Sequence, residues 1–338
     1  MLIFGVVMKP QINSPQGKNG LVLALSGGGA AGLAHIGVIQ VLSENGIPVR
    51  ALVGTSIGAE IGAFIASGMP IDELVNLATD FDWKQTLQLF MPDLPTGGLV
   101  SGKKIMDFLN TKLGAHSIEN LPKGFAAVTT DLETGEQVVL SEGSLVDAVR
   151  ASISIPGFIA PYRIGQRWLV DGGVVNPVPF DVARELFGGP VVAVAVHSAA
   201  RQQIKAMRQP ISRLLPVRIR QLLRQTWMVR AKGLEEWLES QLENYRKKQD
   251  KKQFWTVRRV LDQVIHVSQA EVVRLRKIMS PPDIMLTPEG DGIGTIEFYR
   301  AKEAIAAGRA AANEKLAQIK ALVEVENYPQ DASKGVSD

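Results

Sequence analysis

Twice within the first 68 residues a short apolar run ends in a glycine turn and gives way to helix-spaced hydrophobics. The first run, Leu21-Val22-Leu23-Ala24-Leu25, is closed by Ser26 and by Gly27, Gly28, Gly29 and Gly32. Beyond it, Leu33, Ile36, Val38, Ile39 and Leu42 recur at three- and four-residue steps up to Gly46, which is placed to cap the helix. The second run, residues 49–53, meets Gly54-Thr55-Ser56-Ile57-Gly58, after which Ile61, Phe64 and Ile65 carry a helix to Gly68. Wholly apolar strands must be covered on both faces, so this repeat predicts an α/β fold with a parallel sheet between helical layers. Further on, residues 125–130 and 137–140 flank Glu133-Thr134-Gly135 as a hairpin, and a helix follows from Ser144. Residues 167–170 run into Asp171-Gly172-Gly173, and 191–196 form another buried strand. A Pro/Gly-marked loop, 92–102, is long enough for a lid and equally suits a surface connection.

Composition removes whole classes of chemistry. The 338 residues include no cysteine, so a disulfide framework, a thiolate metal site and a cysteine nucleophile are excluded. His35, His116, His197 and His266 lie far apart, with no helix-borne pair of the zinc-binding kind, so neither metal nor cofactor is expected. No apolar run reaches the roughly 18 to 20 residues of a membrane span. The apolar start, residues 2–8, has no preceding basic residues and no small-residue cleavage site after it, so residues 1–19 read as a loose tail of a cytoplasmic protein.

Three glycine motifs compete for a chemical meaning. Gly27-x-Gly29-x-x-Gly32 follows a strand as a dinucleotide fingerprint does, but the second strand ends in Gly54-Thr55-Ser56 without the acidic residue that holds a ribose. Gly97 and Gly102-Lys103 have P-loop spacing, yet Lys104 replaces the required Ser or Thr and no strand precedes them. Gly54-Thr55-Ser56-Ile57-Gly58 has the GxSxG form of a nucleophile elbow and sits between strand and helix, as that chemistry requires. There Gly54 and Gly58 leave room for a tight turn, and the helix N-terminus favours developing negative charge. The backbone N–H groups of Gly27, Gly28 and Gly29 offer donors for an oxyanion. For the base, Asp171 with His197 or His266 would complete a triad in the hydrolase order Ser, Asp, His, although His197 ends a buried strand and His266 lies in an amphipathic helix, settings that suit structural residues.

Taken together, the chain resembles the patatin-like phospholipases, specifically bacterial members of the cytosolic lipid-hydrolase kind. The resemblance rests on Gly27-Gly28-Gly29-Ala30-Ala31-Gly32, Gly54-Thr55-Ser56-Ile57-Gly58 and Asp171-Gly172-Gly173 in that order. Gly32-Leu33-Ala34-His35-Ile36-Gly37-Val38 and Ala151-Ser152-Ile153-Ser154-Ile155-Pro156-Gly157-Phe158 support it. It covers residues 20–200 and resumes over 283–312, where Gly294, Phe298, Ala301 and Gly308 look like the closing helix. It implies a three-layer sheet with helices on both faces and a Ser/Asp dyad without histidine. In that dyad Ser56 is the nucleophile, Asp171 the general base and Gly27, Gly28 and Gly29 the oxyanion hole, acting on a fatty acyl ester through an acyl-serine intermediate. Ala31 departs from the family, which often carries Arg or Lys there. The alternative is a non-catalytic scaffold or regulatory protein that kept the fold.

Residues 201–280 differ from their surroundings. They hold 19 Lys and Arg against 7 Asp and Glu, a net +12, while the rest of the chain has 18 against 27, a net −9. Ile219, Leu222, Leu223, Trp227, Leu234, Trp237, Leu238 and Leu242 recur with helical period, as do Val257, Val260, Leu261, Val264 and Ile265, on either side of Arg246-Lys247-Lys248. This predicts a basic amphipathic helical hairpin inserted between a catalytic domain of residues 20–200 and 281–322, with a loose tail at 323–338. Three of the five tryptophans fall in it, which suits docking on an anionic membrane surface, at the inner face of the membrane; a solvated helical pair is the plainer reading. No nucleic-acid module accompanies the charge, and nothing in the sequence sets the oligomeric state.

Overall fold

The computed structural model describes residues 19–93, 97–196, 257–289 and 292–326. The chain divides into two units, residues 1–199 with 268–338, and residues 200–267. In the first unit the two glycine-punctuated repeats become β1 (Leu21–Leu25), α1 (Ala34–Glu44), β2 (Val49–Thr55) and α2 (Ile57–Ala66). Three helices follow, α3 (Ile71–Asp80), α4 (Trp83–Leu89) and α5 (Lys103–Leu113). The predicted hairpin is β3 (Gly124–Asp131) and β4 (Gln137–Leu140), and α6 (Leu145–Ser152) begins at Ser144, whose side chain accepts from the Asp147 N–H. After it come β5 (Tyr162–Ile164), β6 (Arg167–Asp171), α7 (Phe180–Phe187), β7 (Val191–Val194), α8 (Val257–Met279), β8 (Ile284–Leu286), α9 (Ala301–Glu314) and α10 (Leu316–Glu326).

The strands make one eight-stranded sheet in the order β5-β6-β3-β2-β1-β7-β8, with β4 also on β3. Its centre, β3-β2-β1-β7-β8, is parallel, and β4, β5 and β6 are antiparallel additions. Register aligns Leu23 with Leu52 and Val192, and Ala24 with Val53 and Ala193. Alternate residues of a strand face opposite sides. Leu23, Leu52, Phe125 and Val192 therefore join the large core beneath α1, α2, α5 and α9, while Ala24, Val53, Ala126 and Ala193 pack under Phe180 and Val182 of α7 and Val273 of α8. This is the predicted three-layer arrangement.

Two boundaries move. The insertion expected over 201–280 does not extend to its far end, because residues 268–280 belong to the sheet's own unit. There Arg276 pairs with Asp181 and donates to the Val175 carbonyl, and Gln269 donates to the Gly173 carbonyl at 2.9 Å. The rest of the predicted hairpin, up to residue 256, lies outside the described residues, as do residues 1–18. Residues 323–326, expected as tail, continue α10. In the 92–102 segment, Leu99 and Val100 donate to the Phe158 carbonyl and Ala160 donates to Val100, so its described part is tied to the surface beside 158–160. No helix of the described residues is long and apolar enough to cross a membrane.

Candidate active site

The two central strands deliver their C-terminal ends side by side. At the end of β2, Ser56 has φ 56° and ψ −127°, the one positive φ at a described non-glycine residue. Such a conformation costs roughly 1–3 kcal/mol and persists where the surroundings hold it. Here the Ser56 N–H donates to the Ser152 hydroxyl at 2.9 Å, and that hydroxyl donates to the Val128 carbonyl at 2.7 Å. The Thr55 hydroxyl is held by the Asn176 carbonyl at 2.9 Å. A side chain at Gly54 would collide with Gly58 and Ala59 across the turn, and one at Gly58 with the Leu25 carbonyl. Both glycines of the motif are thus required by close approach of backbone.

Asp171 ends β6, opposite Thr129 of β3. Its N–H donates to the Ser154 carbonyl at 2.9 Å, its carbonyl accepts from the Thr130 hydroxyl at 3.0 Å, and its carboxylate accepts from the Gly173 N–H at 2.7 Å. Gly172 lies against the Val128 carbonyl, closer than any side chain would permit. Burial raises the Asp171 pKa from 3.8 to about 6, against the opposing pull of the Ser56 side chain, its hydrogen-bonding neighbour, and of the Gly173 N–H. The carboxyl is thereby brought into the range where a group can take up and return a proton near neutral pH.

The first glycine loop runs beside Ser56: a Cβ on Gly27 would sit 3.4 Å from the Ser56 Cβ. Gly27, however, already donates its N–H to the Pro177 carbonyl at 3.1 Å, and Ala30 donates to Thr295 at 2.9 Å. Of the three glycines expected to stabilise an oxyanion, Gly28 and Gly29 are therefore the two whose N–H groups have no partner among the described residues. Gly27 instead fixes the loop. Gly32 faces the Ile57 side chain with no space for a Cβ, which holds loop and elbow together. His35 is a structural anchor. Its Nε2–H donates to the Ser26 carbonyl at 2.9 Å, and burial lowers its pKa to about 4, so it stays neutral. His266 lies on α8 and His197 outside the described residues. Among the described residues no group of three His, Asp or Glu could hold a metal.

Ser56 and Gly29 open into a cavity of about 940 Å³, counting its mouth. Its walls are overwhelmingly apolar, with Leu33, Phe64, Phe81, Phe90, Phe108 and Phe298 drawn from six separate stretches of the chain. Phe298 stacks on Phe90 at 5.6 Å between centroids and meets Phe81 edge-on at 6.1 Å. Sequence reasoning missed this chamber, and with it Glu60, Ser152 and Thr295. Ser152 lay inside a motif quoted for the family, but only the fold shows its hydroxyl reaching the Ser56 backbone.

The stretch of chain that carries these residues is similar to known proteins. The family model for patatin-like phospholipase matches residues 23–184. An uncharacterized NTE family protein of Mycobacterium tuberculosis is 38% identical over 179 residues, 53% of this chain and 49% of that protein. The neuropathy target esterase sws of Drosophila melanogaster is 35% identical over 185 residues, 53% of this chain and 13% of its own length. The chain thus spans about half the length of the mycobacterial relative and far less of the insect one. Among solved structures, VipD from Legionella pneumophila aligns over 88% of this chain and 67% of its own at 14% identity, with a TM-score of 0.41. Residues 23–184, which hold Ser56 and Asp171, are thus a domain of the patatin-like phospholipase family.

Proposed function

We propose that this chain is a lipid acyl hydrolase that cleaves carboxylic esters of fatty acids with Ser56 as nucleophile and Asp171 as the sole general base. The observation that carries the reading is the neighbourhood of Ser56: a hydroxyl on a strained elbow, a buried carboxyl with a pKa of about 6 beside it, and an apolar cavity opening from the same point. Asp171 accepts the hydroxyl proton as Ser56 Oγ attacks the ester carbonyl. The tetrahedral oxyanion is met by the N–H groups of Gly28 and Gly29 and by the positive end of α2. Collapse expels the alcohol, which takes the proton from Asp171, and leaves the acyl group on Ser56. Asp171 then deprotonates a water that attacks the acyl-serine, and the fatty acid departs as the proton returns to Ser56. No histidine takes part, and no metal or cofactor is required.

Docking on an anionic bilayer through the basic residues 201–267 belongs to the same proposal. With 16 Lys and Arg against 6 Asp and Glu, a net +10, and three tryptophans, they suit a protein whose substrate lies at an interface. The alternative of a fold kept only as a scaffold is disfavoured by the intact elbow and by the shifted Asp171. The test is release of fatty acid from p-nitrophenyl decanoate and from phospholipid vesicles. Ser56→Ala is expected to lower kcat by about 10³-fold or more, and a variant that keeps the wild-type rate contradicts the proposal.

A further inference from the structure

Besides Ser56, one side chain lining the cavity is chemically out of keeping with it. Glu60 sits one turn into α2, its N–H donating to the Ser56 carbonyl at 3.1 Å. Helical side chains lean toward the N-terminus, which here means back toward Ser56. It is the one ionisable side chain among the described residues of the cavity wall, and its neighbours there include Leu33, Ile36, Ile61 and Phe64. No hydrogen bond or ion pair engages its carboxyl among the described residues. Burial alone pushes the Glu60 pKa up to about 7, so near neutral pH much of it is the uncharged acid, which can donate as well as accept.

A cavity that served only unsubstituted alkyl chains would gain nothing from a carboxyl in this place. Such a chain strips water from Glu60 and gives no hydrogen bond in return, a cost borne by every turnover. Ser56 immediately precedes α2, its carbonyl accepts from the Glu60 N–H at 3.1 Å, and both side chains line the same cavity. An acyl chain bonded to Ser56 and running into the cavity therefore passes Glu60 within its first few carbons. A hydroxyl on the chain at that depth would restore the lost hydrogen bond.

We propose that Glu60 is a specificity-determining residue, and that it selects acyl chains carrying a hydroxyl close to the ester, of the 3-hydroxyacyl type, over unsubstituted fatty acyl chains. The proposal rests on the acyl hydrolase reading for its substrate class. Glu60 has no part in the proton transfers at Asp171; its role is confined to recognising the chain.

The experiment compares kcat/KM for p-nitrophenyl 3-hydroxydecanoate and p-nitrophenyl decanoate in the full-length wild type, Glu60→Gln and Glu60→Leu. The wild type is expected to prefer the hydroxy ester by about tenfold or more. Glu60→Gln, which still donates and accepts, should retain most of that preference. Glu60→Leu should abolish it, chiefly by improving the unsubstituted ester, a gain that a merely structural role would not produce. Equal use of both esters by the wild type, or an unchanged preference in Glu60→Leu, overturns the assignment. Calorimetry of the methyl esters of 3-hydroxyoctanoate and octanoate with Ser56→Ala separates this inference from the catalytic one. Tighter binding of the hydroxy ester, lost on adding Glu60→Leu, supports Glu60 even without turnover, and equal binding refutes it. Absence of hydrolysis of either ester by the wild type instead contradicts the acyl hydrolase reading.

Discussion

The loops that carry Ser56 and Asp171 and the cavity that Ser56 lines are built in opposite ways. The loops are backbone structures. Gly54 and Gly58 let the chain fold against itself and against Leu25, Gly172 lies on Val128, and Ser56 is fixed through its own N–H. The cavity is a side-chain structure, assembled from phenylalanines and aliphatic residues between positions 29 and 298. A backbone site tolerates almost no substitution and has little freedom to adapt. A side-chain wall can change residue by residue, and so is where substrate preference is expected to reside. Reaction type and acyl preference should therefore respond separately to mutation.

The largest separation is expected at Asp171. Asp171→Asn should lower kcat by roughly 10³-fold or more while leaving binding of long-chain esters nearly intact, measured by steady-state kinetics and by calorimetry of an uncleaved ester. Its effect on stability should run the other way. Burial raises the folded-state pKa above its ordinary 3.8, so protonation favours the fold, and the wild type loses that contribution as pH climbs through about 6. Above that pH, Asp171→Asn should be more stable than the wild type by about 1–3 kcal/mol in urea denaturation, and the difference should vanish near pH 4. The same protonation sets the activity profile: wild-type kcat/KM should rise as pH passes upward through about 6 and then level off. A smaller effect, confined to the other region, is expected at Phe298. Phe298→Ala removes a ring stacked on Phe90 and should raise KM for decanoyl esters several-fold while sparing acetyl esters. A comparable loss on acetyl esters would show that the cavity and the loops are not separable.

This contrast also explains what could be read before the fold was known. The strand, turn and helix units of residues 21–66 were legible because each is local: an apolar run, glycines where backbones meet, and a helical period after them. Asp171 was legible because Gly172 and Gly173 follow it directly. The cavity was not, since Phe90 and Phe298 are about as far apart in sequence as they are close in space. Nothing in the sequence singles out Glu60, and only the packing of α2 shows that it lines an apolar wall. Gly27 illustrates a finer limit, because composition marked three loop glycines as equivalent donors and Pro177 takes the first. Charge misled once. Arg274, Arg276 and Lys277 drew the far end of α8 into a basic insertion, whereas Arg276 is spent on Asp181 and Val175 within the unit of the sheet.

The central claim is that Ser56 is activated by Asp171 with no histidine. It is tested most directly by mapping a fluorophosphonate adduct by mass spectrometry in the wild type, Ser56→Ala, Asp171→Asn, His35→Gln, His197→Ala and His266→Ala. The account predicts a single adduct on Ser56, absent from Ser56→Ala, strongly slowed in Asp171→Asn and retained in the histidine variants. Labelling that survives Ser56→Ala, or that is lost in His197→Ala or His266→Ala while Asp171→Asn still reacts, would contradict it.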